Sequence, residues 1–177
     1  MDKSDELIYP YFLLPIMITL RVLLPDDIPI IKSWPPYPPE FSELDYSLRD
    51  GGWLDEYYKK AGTSIFVAVD HDRIAGFSII SKEKSDSAEF RIALHPDMPG
   101  KGMGKAITLL TLRQGFSDPA ISTIRLIVRK SNPRARKLYE TVRFRNTGEC
   151  SLEILGNPVD FFVMAIDRKT FFMENST

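Results

Sequence analysis

Seven short runs rich in β-branched, aromatic and other apolar residues read as strands, at positions 18–22, 64–69, 74–81, 88–94, 123–129, 148–155 and 159–166. The segments between them have helical character. Residues 28–34 read as a short helix opened by Pro25-Asp26-Asp27, with Asp26 or Asp27 as its cap. Pro35-Pro36-Tyr37-Pro38-Pro39 excludes helix and demands a stiff loop. Residues 40–60 mix acids with Phe41, Leu44, Tyr46, Leu48, Trp53 and Leu54, which predicts one or two helices broken at Gly51-Gly52. Residues 106–116 read as a longer helix. Asn132-Pro133 starts another, with Asn132 as cap and with Ala135, Leu138, Tyr139 and Val142 on one face. Turns fall at Asp70-His71-Asp72-Arg73 and at Gly156-Asn157-Pro158. The order predicts a mixed α/β (α+β) domain, antiparallel early and strand–helix–strand–helix later.

The length of 177 residues suits a single domain with a real core, from a lead-in segment (1–17) to a C-terminal tail (170–177). The apolar run at 8–20 invites reading as a signal peptide. Three acids precede it, Pro10 and Pro15 interrupt it, and it is too short to span a bilayer as a helix. The expected location is the cytoplasm. A formal net charge of −1 gives no electrostatic reason for a nucleic-acid or membrane partner. Cys150, the single cysteine, forms no internal disulfide. His71 and His95 read as turn residues without ligand partners at useful spacing, so no metal is expected.

The chemistry concentrates in Pro99-Gly100-Lys101-Gly102-Met103-Gly104-Lys105. It lies between a strand and a helix. Closely spaced glycines turn the backbone sharply and uncover its N–H groups. No Ser, Thr, Asp or Asn caps the helix start, so its first amides suit an anion such as phosphate. A plain glycine-rich surface turn is the alternative. The spacing matches neither the dinucleotide fingerprint, which needs Gly at Ile107, nor a Walker loop, which needs Gly at Pro99 and Ser or Thr at Ala106.

Leu94-His95-Pro96-Asp97-Met98 running into that glycine stretch resembles the acetyl-CoA loop of the GNAT superfamily of N-acetyltransferases. Asn132-Pro133-Arg134-Ala135-Arg136-Lys137-Leu138-Tyr139-Glu140 resembles the superfamily's second signature. A narrower likeness to spermidine and ribosomal-protein N-terminal acetyltransferases lies in Ala88-Glu89-Phe90, Thr147-Gly148-Glu149 and Gly156-Asn157. Two positions depart from the family. Pro99 stands where Arg or Gln is usual, and Arg143 replaces the usual Gly before Phe144, which implies a locally altered turn.

The resemblance implies a single mixed, mostly antiparallel central sheet flanked by helices. It implies acetyl-CoA as co-substrate and a primary amine as acceptor, attacked directly in a ternary complex. Polyamine, protein N-terminus, amino acid and antibiotic all stay open as acceptors, and a homodimer is an allowed assembly. Ala93 and Leu94 are expected to meet the pantetheine arm, one of their backbone N–H groups polarising the carbonyl. Gly100, Lys101, Gly102, Met103, Gly104 and Lys105 are expected to hold the pyrophosphate, with Asn132 and Arg136 adding cofactor contacts. Tyr139 is the matched general acid and Glu89 the candidate base, directly or through water; otherwise Tyr139 is a core aromatic and Glu89 a solvated strand residue. The acceptor pocket is expected from residues 34–58 and the last hairpin. A non-catalytic acyl-CoA sensor on the same fold is the alternative function.

Overall fold

The computed structural model describes residues 17–98 and 102–174. Seven strands form one sheet in the order β1-β2-β3-β4-β5-β7-β6. They are β1 (Ile18–Val22), β2 (Thr63–Asp70), β3 (Arg73–Lys82), β4 (Ser87–Leu94), β5 (Thr123–Arg129), β6 (Arg145–Ile154) and β7 (Asn157–Asp167). Every neighbouring pair is antiparallel except β4 and β5. That parallel pair needs a crossover, which α3 (Met103–Gly115) supplies. The expected architecture is therefore present.

Helices cover both faces. On one face α3, α4 (Pro133–Thr141) and α5 (Arg168–Glu174) accompany a core that includes Phe90, Leu112, Phe116, Leu126, Phe144 and Phe171. Buried positions on α3 recur at Met103, Gly104, Ile107, Thr108, Thr111 and Leu112, the stripe a helix lays on a sheet. On the other face α1 (Asp27–Lys32), a 3-10 segment (Pro39–Leu48) and α2 (Trp53–Tyr57) cover β2 to β4 through Ile31, Trp34, Leu48, Leu54 and Tyr57. Pro35 to Pro38 form the expected extended loop, and Gly51-Gly52 separates the 3-10 segment from α2.

The local expectations need four corrections. Helix α3 starts at Met103, ahead of the expected 106, because the turn is made by Gly102 at φ 75°. Neither Asp26 nor Asp27 caps α1 with its side chain. Asp27 is buried and instead holds Arg21 through two hydrogen bonds (2.7 and 2.8 Å) and accepts the Leu24 N–H at 2.7 Å. The last hairpin turns at Leu155-Gly156, both at positive φ, so Asn157 and Pro158 already belong to β7. The 170–177 tail begins as the end of α5, which is anchored by buried Phe171 against Phe116, and Asp167 accepts the Thr170 N–H at its start. The lead-in segment 1–16 lies outside the described residues.

The Arg21 guanidinium holds the Asp27 carboxyl below its ordinary range. A depressed carboxyl contributes stability that is present above its ordinary pKa of about 4 and is lost as pH falls through the folded value. Asp27→Asn is therefore expected to cost about 1.5–3 kcal/mol at neutral pH, the scale of charged hydrogen bonds. In denaturant titrations the difference from wild type should shrink below pH about 4.

Candidate active site

Strands β4 and β5 pair over three positions, ending at Glu89 opposite Arg125, and then part. The gap opens into a cavity of about 750 Å³. Its lining joins β4 from Phe90 to Leu94, the start of α3 and one side of α4. Opposite these lie the 3-10 segment, Trp53 of α2 and the β6–β7 hairpin, so the predicted acceptor segments do line a common space.

Register sets the backbone chemistry on β4. The His95 N–H bonds the Ala75 carbonyl at 2.8 Å, and Ala93 sits opposite Phe77. Antiparallel ladders alternate, so Ala93 turns its amide toward β3 while Ile92 and Leu94 turn theirs toward the gap. The Leu94 carbonyl on that side accepts the Tyr37 hydroxyl at 2.7 Å, which ties the 3-10 side of the cavity to β4.

Gly102, Met103 and Gly104 bring the start of α3 to the same cavity. Gly102 is left-handed and no side chain caps the helix, so its leading N–H groups face outward at the positive end of the dipole. Gly104 has a different duty. A Cβ there would stand 2.9 Å from Leu138 Cδ1, so this glycine lets α3 approach α4. Gly104→Val is expected to lower stability by about 1–3 kcal/mol through overpacking, measured by denaturation midpoint. Gly100 and Lys101 lie outside the described residues; Lys105 is exposed and does not line the cavity.

Asn132 caps α4, its side chain accepting the Ala135 N–H at 3.1 Å, and lines the cavity. Two turns later Tyr139 lines it as well. Its ring stands edge-on to Phe90 and Phe144, at centroid distances of 6.4 and 5.8 Å, so the residue belongs to the core as well as to the cavity wall. Burial pushes this phenol above its ordinary value of about 10. Arg143 takes the left-handed conformation (φ 77°) in the turn after α4, one that glycine adopts freely and other residues uncommonly.

Two further predicted residues, Glu89 and Arg136, also sit apart from the cavity. Glu89 is engaged on both oxygens: one takes Arg91 Nε at 2.8 Å, the other the Tyr57 hydroxyl at 3.0 Å. Arg136 pairs with Glu140 at 3.0 Å and lies over the Phe162 ring. Arg134 and Lys137 of the same helix do line the cavity. Sequence reasoning passed over Arg91 and Arg129, both lining residues. The period of two along β4 carried a signal for Arg91, since it shares a strand face with Glu89. Arg129 reaches from the end of β5 to the Glu43 carbonyl at 3.1 Å, a contact between distant segments that no local pattern marks.

The fold recurs in solved structures. Mutant forms of the spermidine/spermine N-acetyltransferase of Vibrio cholerae match with a TM-score of 0.70 and 24% identity, covering 91% of this chain and all of that one. The spermidine N-acetyltransferase of the same organism in complex with CoA and spermine matches with a TM-score of 0.68 and 25% identity, covering 88% and 98%. Its dodecameric form in an intermediate state matches with a TM-score of 0.69 and 24% identity, covering 89% and 97%. No curated protein sequence matches the chain. The sequence profile of the acetyltransferase (GNAT) family matches residues 30–144, which include the parted strands, the α3 start and Tyr139. The chain belongs to the acetyltransferase (GNAT) family, whose acetyl donor is acetyl-CoA.

Proposed function

We propose that this protein transfers the acetyl group of acetyl-CoA to a primary amine by direct attack within a ternary complex. The observation that carries this reading is the convergence of three features on one cavity: the β4–β5 gap, the uncapped α3 start and Tyr139. Acetyl-CoA supplies the acetyl group as a thioester, whose transfer releases a thiol. The residues fit such a donor. Outward amides at Gly102 to Gly104 suit a pyrophosphate, and Arg134 and Lys137 add positive charge beside it. The Leu94 N–H, aimed into the gap, is the donor for the carbonyl oxygen. Ala93 contributes apolar wall, since its amide is turned to β3.

Tyr139 is the proton donor to the leaving sulfur. A phenol held above about 10 stays protonated at neutral pH; its proton passes to the sulfur as the C–S bond breaks, and solvent reprotonates the tyrosinate. Its protonated form is the working one, so Tyr139 should impose no alkaline loss of kcat below pH about 10. Glu89 acts as a positioning residue for Arg91, and water removes the proton from the amine.

Acetyl-CoA at about 100 Kd should stabilise the fold by roughly 2.7 kcal/mol. At about 2–4 °C per kcal/mol for a chain of this size, the melting midpoint should rise by roughly 5–11 °C. Amine-dependent release of CoA thiol should accompany it. No shift at saturating acetyl-CoA, or no thiol release with any amine, contradicts the reading.

A further inference from the structure

The acceptor side of the cavity has a charge and a texture that select among amines, an inference that rests on the acetyltransferase reading above. We propose that the acceptor is a primary amine with one positive charge and an aromatic or bulky apolar body, as in an arylalkylamine, and that polyamines are poor substrates.

The walls on this side are Tyr37, Phe41, Tyr46, Trp53, Phe161 and Leu152. Of the three guanidiniums that line the cavity, two are matched by carboxylates, and the third, Arg134, lies over the Phe41 ring and takes part in no ion pair among the described residues. Arg91 is held by Glu89 at 2.7 Å and lies over the Trp53 and Tyr57 rings. Arg129 pairs with Glu43 at 3.5 Å and lies over Tyr46 and Phe161. Glu56 lines the cavity and takes part in no ion pair among the described residues. Glu153 also borders the cavity, but it pairs with Pro158, one step out of phase with Leu152 opposite Val159. Strand alternation therefore sends its carboxylate to the sheet face away from Arg129 and Phe161.

The acceptor side thus offers one carboxylate outside any ion pair, Glu56, which also faces the charge of Arg91, beside three guanidiniums and within aromatic and aliphatic walls. One ammonium group meets Glu56 and adjacent ring faces. The second and third ammonium groups of a polyamine would be desolvated against apolar wall and guanidiniums of like charge, which is costly. An aryl or branched alkyl body has the opposite balance and gains from every apolar contact.

The test compares phenethylamine and tyramine with spermidine and spermine, at saturating acetyl-CoA, by thiol release and by the mass of the acetylated product. One methylene in an apolar pocket is worth about 10–200-fold in discrimination, so the arylalkylamines should lead in kcat/KM by at least about 10-fold. Glu56→Gln should raise the arylalkylamine KM several-fold and leave the KM for acetyl-CoA unchanged. Equal or better turnover of spermidine overturns the proposal, as does acetyl-CoA binding with neither amine class accepted. Absence of acetyl-CoA binding overturns both this proposal and the reading beneath it, and the melting shift tells these cases apart.

Discussion

Tyr139→Phe is expected to retain the fold and the affinity for acetyl-CoA while kcat falls by roughly 10- to 1,000-fold. A general acid contributes about 10²–10⁴-fold, and water recovers part of that when the acid is removed. The substitution deletes only the hydroxyl of a residue that lines the cavity. The ring contacts with Phe90 and Phe144 are made by carbon and remain in the variant. Stability should accordingly change by less than about 1 kcal/mol, the net scale of one neutral hydrogen bond. Stopped-flow or steady-state thiol release with a verified amine, read beside a thermal melt, separates the two roles of this residue. A variant with wild-type kcat across neutral pH makes Tyr139 a core aromatic and nothing more.

Arg168→Ala should produce the largest loss of stability of any single change considered, about 3–4 kcal/mol in denaturant titrations. Arg168 opens α5 and donates to the carbonyls of Phe116, Asp118 and Ile121, which end α3 and lead into β5. Hydrogen bonds from a charged donor are worth about 1.5–3 kcal/mol each and do not add fully. Truncation strands several half-buried carbonyls together and also removes the guanidinium from the Phe116 ring. Arg168→Lys should recover only part of the loss, because an ammonium cannot reach three diverging carbonyls with one planar fork. A loss below about 1 kcal/mol means that water satisfies these carbonyls.

The fold was legible wherever one local signal sufficed. The runs of β-branched, aromatic and other apolar residues marked all seven strands, and Asn132-Pro133 marked the start of α4, because capping is a matter of neighbours in sequence. The acceptor walls were legible as a segment, 34–58 with its aromatics and acids, whereas their common cavity was not. Long-range partners escaped the pattern. Asp27 reads as a helix cap until Arg21 is seen to claim its carboxylate. Glu89 reads as an accessible base until Arg91 and Tyr57 occupy it. Arg136 looks available for phosphate until Glu140 and Phe162 hold it, which leaves Arg134 and Lys137 at the cavity. Gly104 looks like part of a phosphate loop, yet its missing Cβ is needed by Leu138. Each case is a side chain whose role is set by a neighbour brought in through folding.

The measurement that tests the central claim most directly is a calorimetric titration of acetyl-CoA into the wild type and Gly102→Val. The claim is that the α3 start at the β4–β5 gap holds the donor's pyrophosphate. At φ 75° a β-branched residue is strained and its bulk intrudes on the anion's approach. The account predicts one site per chain in the wild type, and affinity lowered by at least about 10-fold, or about 1.4 kcal/mol, in a variant that still melts cooperatively. A wild type that does not bind, or a folded variant that binds with unchanged affinity, would contradict it.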